Sequence, residues 1–262
     1  MTMGEQAACL SVENVEVRFG GLVAVSQLTF EVREGEILSL IGPNGAGKTT
    51  AFNVITGYQA PTGGEARYKG VPLTGLPPNR VAELGLVRTF QKTSVFAGNT
   101  VLDNLLIGQH LSTSRTLWQV LLALPSVARE EKALREEAMR ILAFVGLAER
   151  AHELGGALAY GDQRLLEVAT ALAAKPSLLL LDEPASGMNP TEKANFMKLV
   201  QDIRAQGITI LLVEHDMRLV MNISDRVIVL NQGSIIATGT PAEVQGDAAV
   251  MQAYLGSGAV HA

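Results

Sequence analysis

A mixed α/β fold with an inserted helical lobe is what this 262-residue sequence predicts, and three features predict it. Strand-like runs alternate with helical patterns toward both ends; a glycine-rich loop joins one of those strands to a helix; and the stretch between is helical in its spacing.

From Leu10 to about Gly70 the β-like runs "LSVENVEVRFG", "LTFEVREGEILSLIG" and "GEARYKG" are separated by turn residues. One helix interrupts them, following Lys48, with Ala51, Val54 and Ile55 offering an apolar side to a sheet. After "LVRTFQ" the pattern changes. From about Thr100 to Glu149, "VLDNLLIGQHL", "TLWQVLLAL" and "AREEKALREEAMRILAFVGL" all suit helices, and the Arg/Glu-rich part of the last reads as a solvated face. In "LAYGDQRLLEVATALAAK", Gly161 and Asp162 mark a helix entrance, and Leu165, Leu166, Ala169 and Leu172 fall on one face. Beyond Lys175, "LLLLD" reads as a buried strand, "TEKANFMKLVQDIRAQ" as a helix and "ITILLVE" as another strand. "RVIVLNQGSIIATG" then reads as a hairpin and "PAEVQGDAAVMQAYLG" as short helices.

Composition excludes several function classes. A 47% hydrophobic content can fill a core, yet every apolar run falls short of the roughly 20 residues that cross a bilayer. Even "TLWQVLLALPSVA" is polar at Gln119 and broken by Pro125, so membrane contact is expected to be peripheral or through a partner. The formal charge of −5 lacks the basic excess that supplies affinity for nucleic-acid phosphates, so nucleic acid is not expected as a partner. The single cysteine, Cys9, cannot form an internal disulfide. Together with the start "MTMGEQAACL", which lacks a basic head and an apolar segment, it predicts the reducing cytosol.

The strongest chemical signal is "GPNGAGKTT", comprising Gly42, Pro43, Asn44, Gly45, Ala46, Gly47, Lys48, Thr49 and Thr50. It satisfies the phosphate-loop spacing and lies between the strand-like "EILSL" and the helix-like "AFNVIT". Glycines there let backbone N–H groups close around phosphate oxygens; Lys48 is expected to meet the terminal phosphates, and Thr49 to give its hydroxyl to Mg2+. "LLLLDEP" supplies the other groups that hydrolysis needs. Asp182, at a strand's C-terminal end, suits Mg2+ held through water, and Glu183 beside it suits action on the attacking water. "ITILLVEHD" ends likewise, bringing His215 to the same rim, where an imidazole can contact the terminal phosphate or orient water.

The ordered set "GPNGAGKTT", "TFQ", "LAYGDQ", "LLLLDEP", "SGMNP" and "EHD" resembles the ATPase subunit of ATP-binding-cassette transporters, over nearly the whole chain. The resemblance implies a cassette with a mixed-sheet core, an antiparallel β subdomain and an inserted helical subdomain. It implies one cassette domain spanning 1–262, with residues 1–91 and 159–262 forming the nucleotide-binding core and 92–158 the helical part. It also implies a composite ATP site made by two cassettes head to tail, in a homo- or heterodimer. Ala159, Tyr160, Gly161, Asp162 and Gln163 would then close over a γ-phosphate held by the partner's phosphate loop. By the same resemblance Gln91 would sense Mg2+ and water, "KTSVF" would face a membrane partner, and Phe19 would stack on adenine. Implied partners are two transmembrane permease subunits and, indirectly, a periplasmic or extracellular solute-binding protein. The implied place is the cytoplasmic face of the cell (inner) membrane.

Three positions depart from the family pattern. Ala159 stands where serine is usual, Asp162 replaces a small or neutral residue, and Asn189 stands where aspartate is common. Asp162 is expected to cap its own helix, since an acid facing ATP would be unfavourable. The runs "RFGGLVAV", "VRTFQ", "LAYGDQR" and "AYLG" further resemble the Liv-type ATPase of branched-chain amino acid importers. Cassettes for urea, short amides or lipopolysaccharide export remain alternatives. A soluble cassette ATPase of DNA repair or translation is disfavoured by the single phosphate loop and the lack of a sustained heptad insert. A GTPase or small-molecule kinase lacks support because there is no NKxD-like base reader.

Overall fold

The computed structural model describes residues 7–89, 95–109 and 125–256. Two sheets form the frame. The first is antiparallel, in the order β2-β1-β4-β5, with β1 (Ala8–Phe19), β2 (Leu22–Arg33), β4 (Gly63–Tyr68) and β5 (Val71–Pro72). Its long hairpin turns at Gly20 and Gly21, so that Phe19 pairs with Leu22 at one end and Ala8 with Arg33 at the other.

The second sheet runs β10-β9-β3-β8-β7-β6. Its members are β3 (Ile37–Ile41), β6 (Leu86–Arg88), β7 (Leu178–Asp182), β8 (Thr209–Val213), β9 (Arg226–Asn231) and β10 (Ser234–Gly239). All neighbouring pairs are parallel except β9 with β10, which form the expected hairpin. Parallel strands covered on both faces read as unbroken apolar runs, which is why "LLLLD" lacks alternation. Its leucines nonetheless divide between faces. Leu178 and Leu180 enter the core shared with the antiparallel sheet and helix α1 (Lys48–Ile55), whereas Leu179 and Leu181 face a helical layer.

That layer combines α3 (Val101–Gly108), α4 (Pro125–Val145), α5 (Tyr160–Ala173) and α6 (Pro190–Ala205). Leu105, Leu142, Leu166 and Phe196 from these four helices join Leu179 and Leu181 in one buried cluster. A third cluster unites β9 with α7 (Met217–Ile223), α8 (Pro241–Gln245) and α9 (Ala248–Gly256) through Val227, Val220, Val244 and Val250. Helices α7 and α2 (Pro78–Glu83) were not anticipated from the sequence. The expected helix in "TLWQVLLAL" lies outside the described residues. Among the described residues, no helix is long and apolar enough to cross a membrane.

The arrangement places three loops together. Strand β8 lies between β3 and β7, Leu40 is in register with Val213, and Val213 with Asp182. The three C-terminal strand ends therefore project side by side, where open parallel sheets bind ligands.

Candidate functional site

The loop after β3 passes neighbouring backbone too closely for a side chain at two of its glycines. A Cβ on Gly42, whose φ is +150°, would lie 2.1 Å from the Leu230 carbonyl oxygen. One on Gly47, at φ +102°, would lie 2.6 Å from the Ala24 carbonyl oxygen. Gly233 of the β9-β10 turn fastens the loop: its N–H donates to the Ala46 carbonyl at 3.0 Å and its carbonyl accepts from the Ser26 N–H at 2.8 Å. Helix α1 starts at Lys48, so its first free N–H groups face the loop, the arrangement that favours an anion. The Lys48 ammonium donates to the carbonyls of Gly42 (2.7 Å) and Pro43 (3.0 Å). Burial holds the pKa of this lysine below its ordinary value, while Glu183 and Asp182 push it back up.

Glu183 and His215 meet at the mouth of the same cleft, which is lined by Leu22 to Ala24, Asn44 to Thr50, and these two side chains. The Glu183 N–H continues the β7-β8 ladder by donating to the Val213 carbonyl at 2.9 Å, and the residue then takes φ +50°. That left-handed turn, uncommon for a side chain larger than asparagine, accompanies a contact of 2.5 Å between Glu183 Oε1 and His215 Nε2. Thr49 is exposed at the head of α1.

Asp182 lies deeper, almost wholly buried. Its Oδ2 accepts from Arg88 Nη2 at 2.6 Å, and Arg88 Nη1 reaches Asn53 Oδ1 at 2.7 Å. Asp182 Oδ1 is buried with no hydrogen-bond partner among the described residues. An acceptor in that state fits one more polar ligand, such as a water held by a cation. Thr49 lines the Lys48 cleft, and its hydroxyl is an oxygen donor of the kind that Mg2+ takes. Among the described residues there is no cluster of three or more His, Cys, Asp or Glu that could hold a metal. A cation here would thus take most of its ligands from phosphate and water, the habit of Mg2+.

Several participants went unnoticed in the sequence. Arg88 is one, and Glu214 another. Glu214 is 3% exposed, and its carboxylate accepts from the Ala185 N–H (2.7 Å) and the His215 N–H (3.1 Å). Burial pushes its pKa up against these N–H groups and that of Asp216, which pull it down. Asp216 caps α7 by accepting from the Leu219 N–H and is tied to Lys193 of α6 at 2.6 Å. Tyr254 of α9 stands beside the Gly42 backbone. Arg88 lies in "VRTFQ", Glu214 and Asp216 in "EHD" and Tyr254 in "AYLG", so these runs carried their positions but not their partners.

Phe19 is 51% exposed at the hairpin tip, paired with Leu22 at the cleft's edge. Gln91 lies outside the described residues. Ala159, Tyr160, Gly161, Asp162 and Gln163 form the start of α5 and do not line the Lys48 cleft of their own chain. Tyr160 packs instead on the loop after β7, and Gly161 on the first turn of α6. The Tyr160 ring comes within 2.7 Å of where a Gly187 Cβ would stand, and a Cβ on Gly161 would lie 3.0 Å from the Glu192 carboxylate. Arg164 donates to the Tyr160 hydroxyl through Nε (3.0 Å) and Nη2 (2.7 Å), and pairs with Glu167 at 2.9 Å.

The expectation that Asp162 caps its helix is corrected: Ala159 occupies the cap position without a side-chain bond, and Asp162, in the first turn, pairs with Arg150. A guanidinium within reach satisfies the carboxylate more strongly than one backbone N–H, and an acid in the first turn still complements the helix dipole. Asn189 does cap α6, in a reciprocal capping box with Glu192.

Many nucleotide enzymes end a strand in a glycine-rich loop, but here an antiparallel sheet covers one face of that strand's sheet and a layer of helices the other. The profile of the family described as ABC transporter matches residues 25–186, and the chain belongs to that family of transporter ATPases. A second profile, described as branched-chain amino acid ATP-binding cassette transporter, matches residues 234–260. In particular, the chain is 47% identical over 248 residues to the high-affinity branched-chain amino acid transport ATP-binding protein LivG of Salmonella typhimurium, covering 94% of this chain and 97% of the relative. Its identity to BraF of Pseudomonas aeruginosa, of the same description, is 44% over the same shares. The solved ADP conformation of MJ1267, an ATP-binding cassette of an ABC transporter, superposes with a TM-score of 0.84 at 32% identity, covering 95% of this chain and 99% of that one.

Proposed function

We propose that this chain is the ATP-hydrolysing subunit of a branched-chain amino acid importer, acting as one of two cassettes on the cytoplasmic face of the cell membrane. The observation that carries the chemistry is the Glu183–His215 pair at the mouth of the Lys48 cleft. The cargo rests on the likeness to LivG and BraF, and on the profile matched by residues 234–260. Residues 1–91 and 159–262 would form the nucleotide-binding core and 92–158 the helical lobe facing two permease subunits.

In this reading ATP enters with its phosphates on the N–H groups of Gly45 to Thr50, and Phe19 borders the adenine. Lys48 exchanges its bonds to the Gly42 and Pro43 carbonyls for terminal phosphate oxygens. Glu183 accepts a proton from the attacking water as the water oxygen bonds to the γ-phosphorus. The bond from that phosphorus to the β–γ bridging oxygen breaks, leaving ADP and phosphate. His215 fixes the Glu183 carboxylate and faces the γ-phosphate end. Thr49, Asp182 and Gln91 would hold Mg2+, which when bound neutralises charge on the β- and γ-phosphate oxygens. Ala159 to Gln163 of a second cassette would complete the site from the opposite side.

Reconstitution with the permease subunits tests both levels. ATP turnover is expected to rise with a solute-binding protein loaded with leucine, isoleucine or valine. Glu183→Gln should lower turnover by about 100-fold or more while retaining ATP binding. Stimulation by urea with silence toward the branched-chain amino acids would overturn the cargo. Parent-rate hydrolysis by Glu183→Gln would overturn the chemistry.

A further inference from the structure

Glu214 is a buried acid that hydrolysis, as described above, does not use. It sits one residue past β8, and its two oxygens face different loops. Oε1 takes the N–H of Ala185, two residues beyond Glu183, whereas Oε2 takes the N–H of His215. The strand ladder completes the frame, because the Glu183 N–H is held by the Val213 carbonyl immediately before Glu214. The Glu183–His215 contact thus lies inside a small closed circuit of hydrogen bonds.

We propose that Glu214 is a positioning residue: one carboxylate, shared by backbone N–H groups of the two loops, sets the approach of Glu183 to His215. The chemistry requires this residue type. A carboxylate accepts at both oxygens, so it can serve two donors on opposite sides. Glutamine offers one acceptor and would turn its –NH2 toward the other backbone N–H. Aspartate retains both oxygens but falls short by one carbon, about 1.5 Å. Either change frees one loop to shift relative to the other. Lys48 and the phosphate loop hang from β3 and are bonded to neither oxygen, so nucleotide binding should be spared.

This inference rests on the reading that Glu183 and His215 act at the γ-phosphate end, and the test separates the two. ATP turnover is measured for the full-length chain and for Glu183→Gln, His215→Ala, Glu214→Gln and the double variant His215→Ala/Glu214→Gln. Glu214→Gln should lower kcat about 10-fold or more with KM for ATP within about twofold of the parent. Because it acts through the pair, it should cost little further turnover once His215 is alanine.

An unchanged kcat, a parallel change in KM, or a loss that multiplies with that of His215→Ala overturns the proposal. Parent turnover in Glu183→Gln and His215→Ala would instead show that the underlying reading fails. If Glu214→Gln does not fold, Glu214→Asp is judged by the same criteria; if neither folds, Glu214 is a folding residue and the proposal is wrong.

Discussion

Arg88 and Asp182 illustrate what the site asks of single residues. Their side chains are 8% and 1% exposed and are joined at 2.6 Å, yet Arg88 Nε and Asp182 Oδ1 have no partner among the described residues. A buried pair of this kind gives little net stability, but removing one member strands the other's charge. Arg88→Met is therefore expected to lower unfolding free energy by about 3–5 kcal/mol, read from urea denaturation. A loss below about 1 kcal/mol would mean that Asp182 finds water or another partner. Asp182 was legible because an acid after four leucines marks a strand end. Arg88 was not, because the two residues are 94 positions apart in the chain. The place of Lys48 and Thr49 at the head of α1 was legible for the opposite reason: it follows from glycine spacing within nine consecutive residues.

Helix α6 is the element whose local and intermolecular readings compete. Asn189 accepts from the Thr191 and Glu192 N–H groups at 2.9 and 3.0 Å, while Glu192 accepts from the Asn189 N–H at 2.8 Å. Aspartate caps about as well as asparagine, so Asn189→Asp should leave stability within about 0.5 kcal/mol, whereas Asn189→Ala should cost about 1 kcal/mol. Thermal melts of both variants check this, and equal losses would show that the cap is not what Asn189 contributes. The same carboxylate of Glu192 lies against Gly161, so the cap is also a wall for the start of α5. Long helices such as α5 and α6 announced themselves by repeated apolar spacing. Helices α2 and α7, of six and seven residues, complete too few turns to do so. α7 was still marked by Asp216 as its cap, and α2 by Pro78 at its start.

At the scale of the whole molecule, the decisive fact is that Gly161 does not line its own chain's cleft. If it serves a facing cassette, Gly161→Asp should leave ATP affinity of the single chain within about threefold but abolish ATP-dependent pairing. Light scattering in the Glu183→Gln background measures the pairing and equilibrium binding the affinity. Loss of binding by the single chain would show that Gly161 acts within its own cleft, and the two-cassette reading would fall.

The sequence by itself located the glycine-rich loop, the strand-end acids and the histidine, together with the longer strands and helices but not α2 or α7. Those features are local, written in spacings of a few residues and in the burial of parallel strands. Only the tertiary structure decided which side chains hold them in place. Arg88 pairs with Asp182, Glu214 spans two loops, Arg150 takes Asp162, and Tyr160 rests on Gly187. Each of these contacts depends on the side-by-side placement of elements or loops whose spacing is set by packing. A polar side chain chooses its partner by distance and burial, and neither quantity is fixed until the sheets and helices have closed on one another.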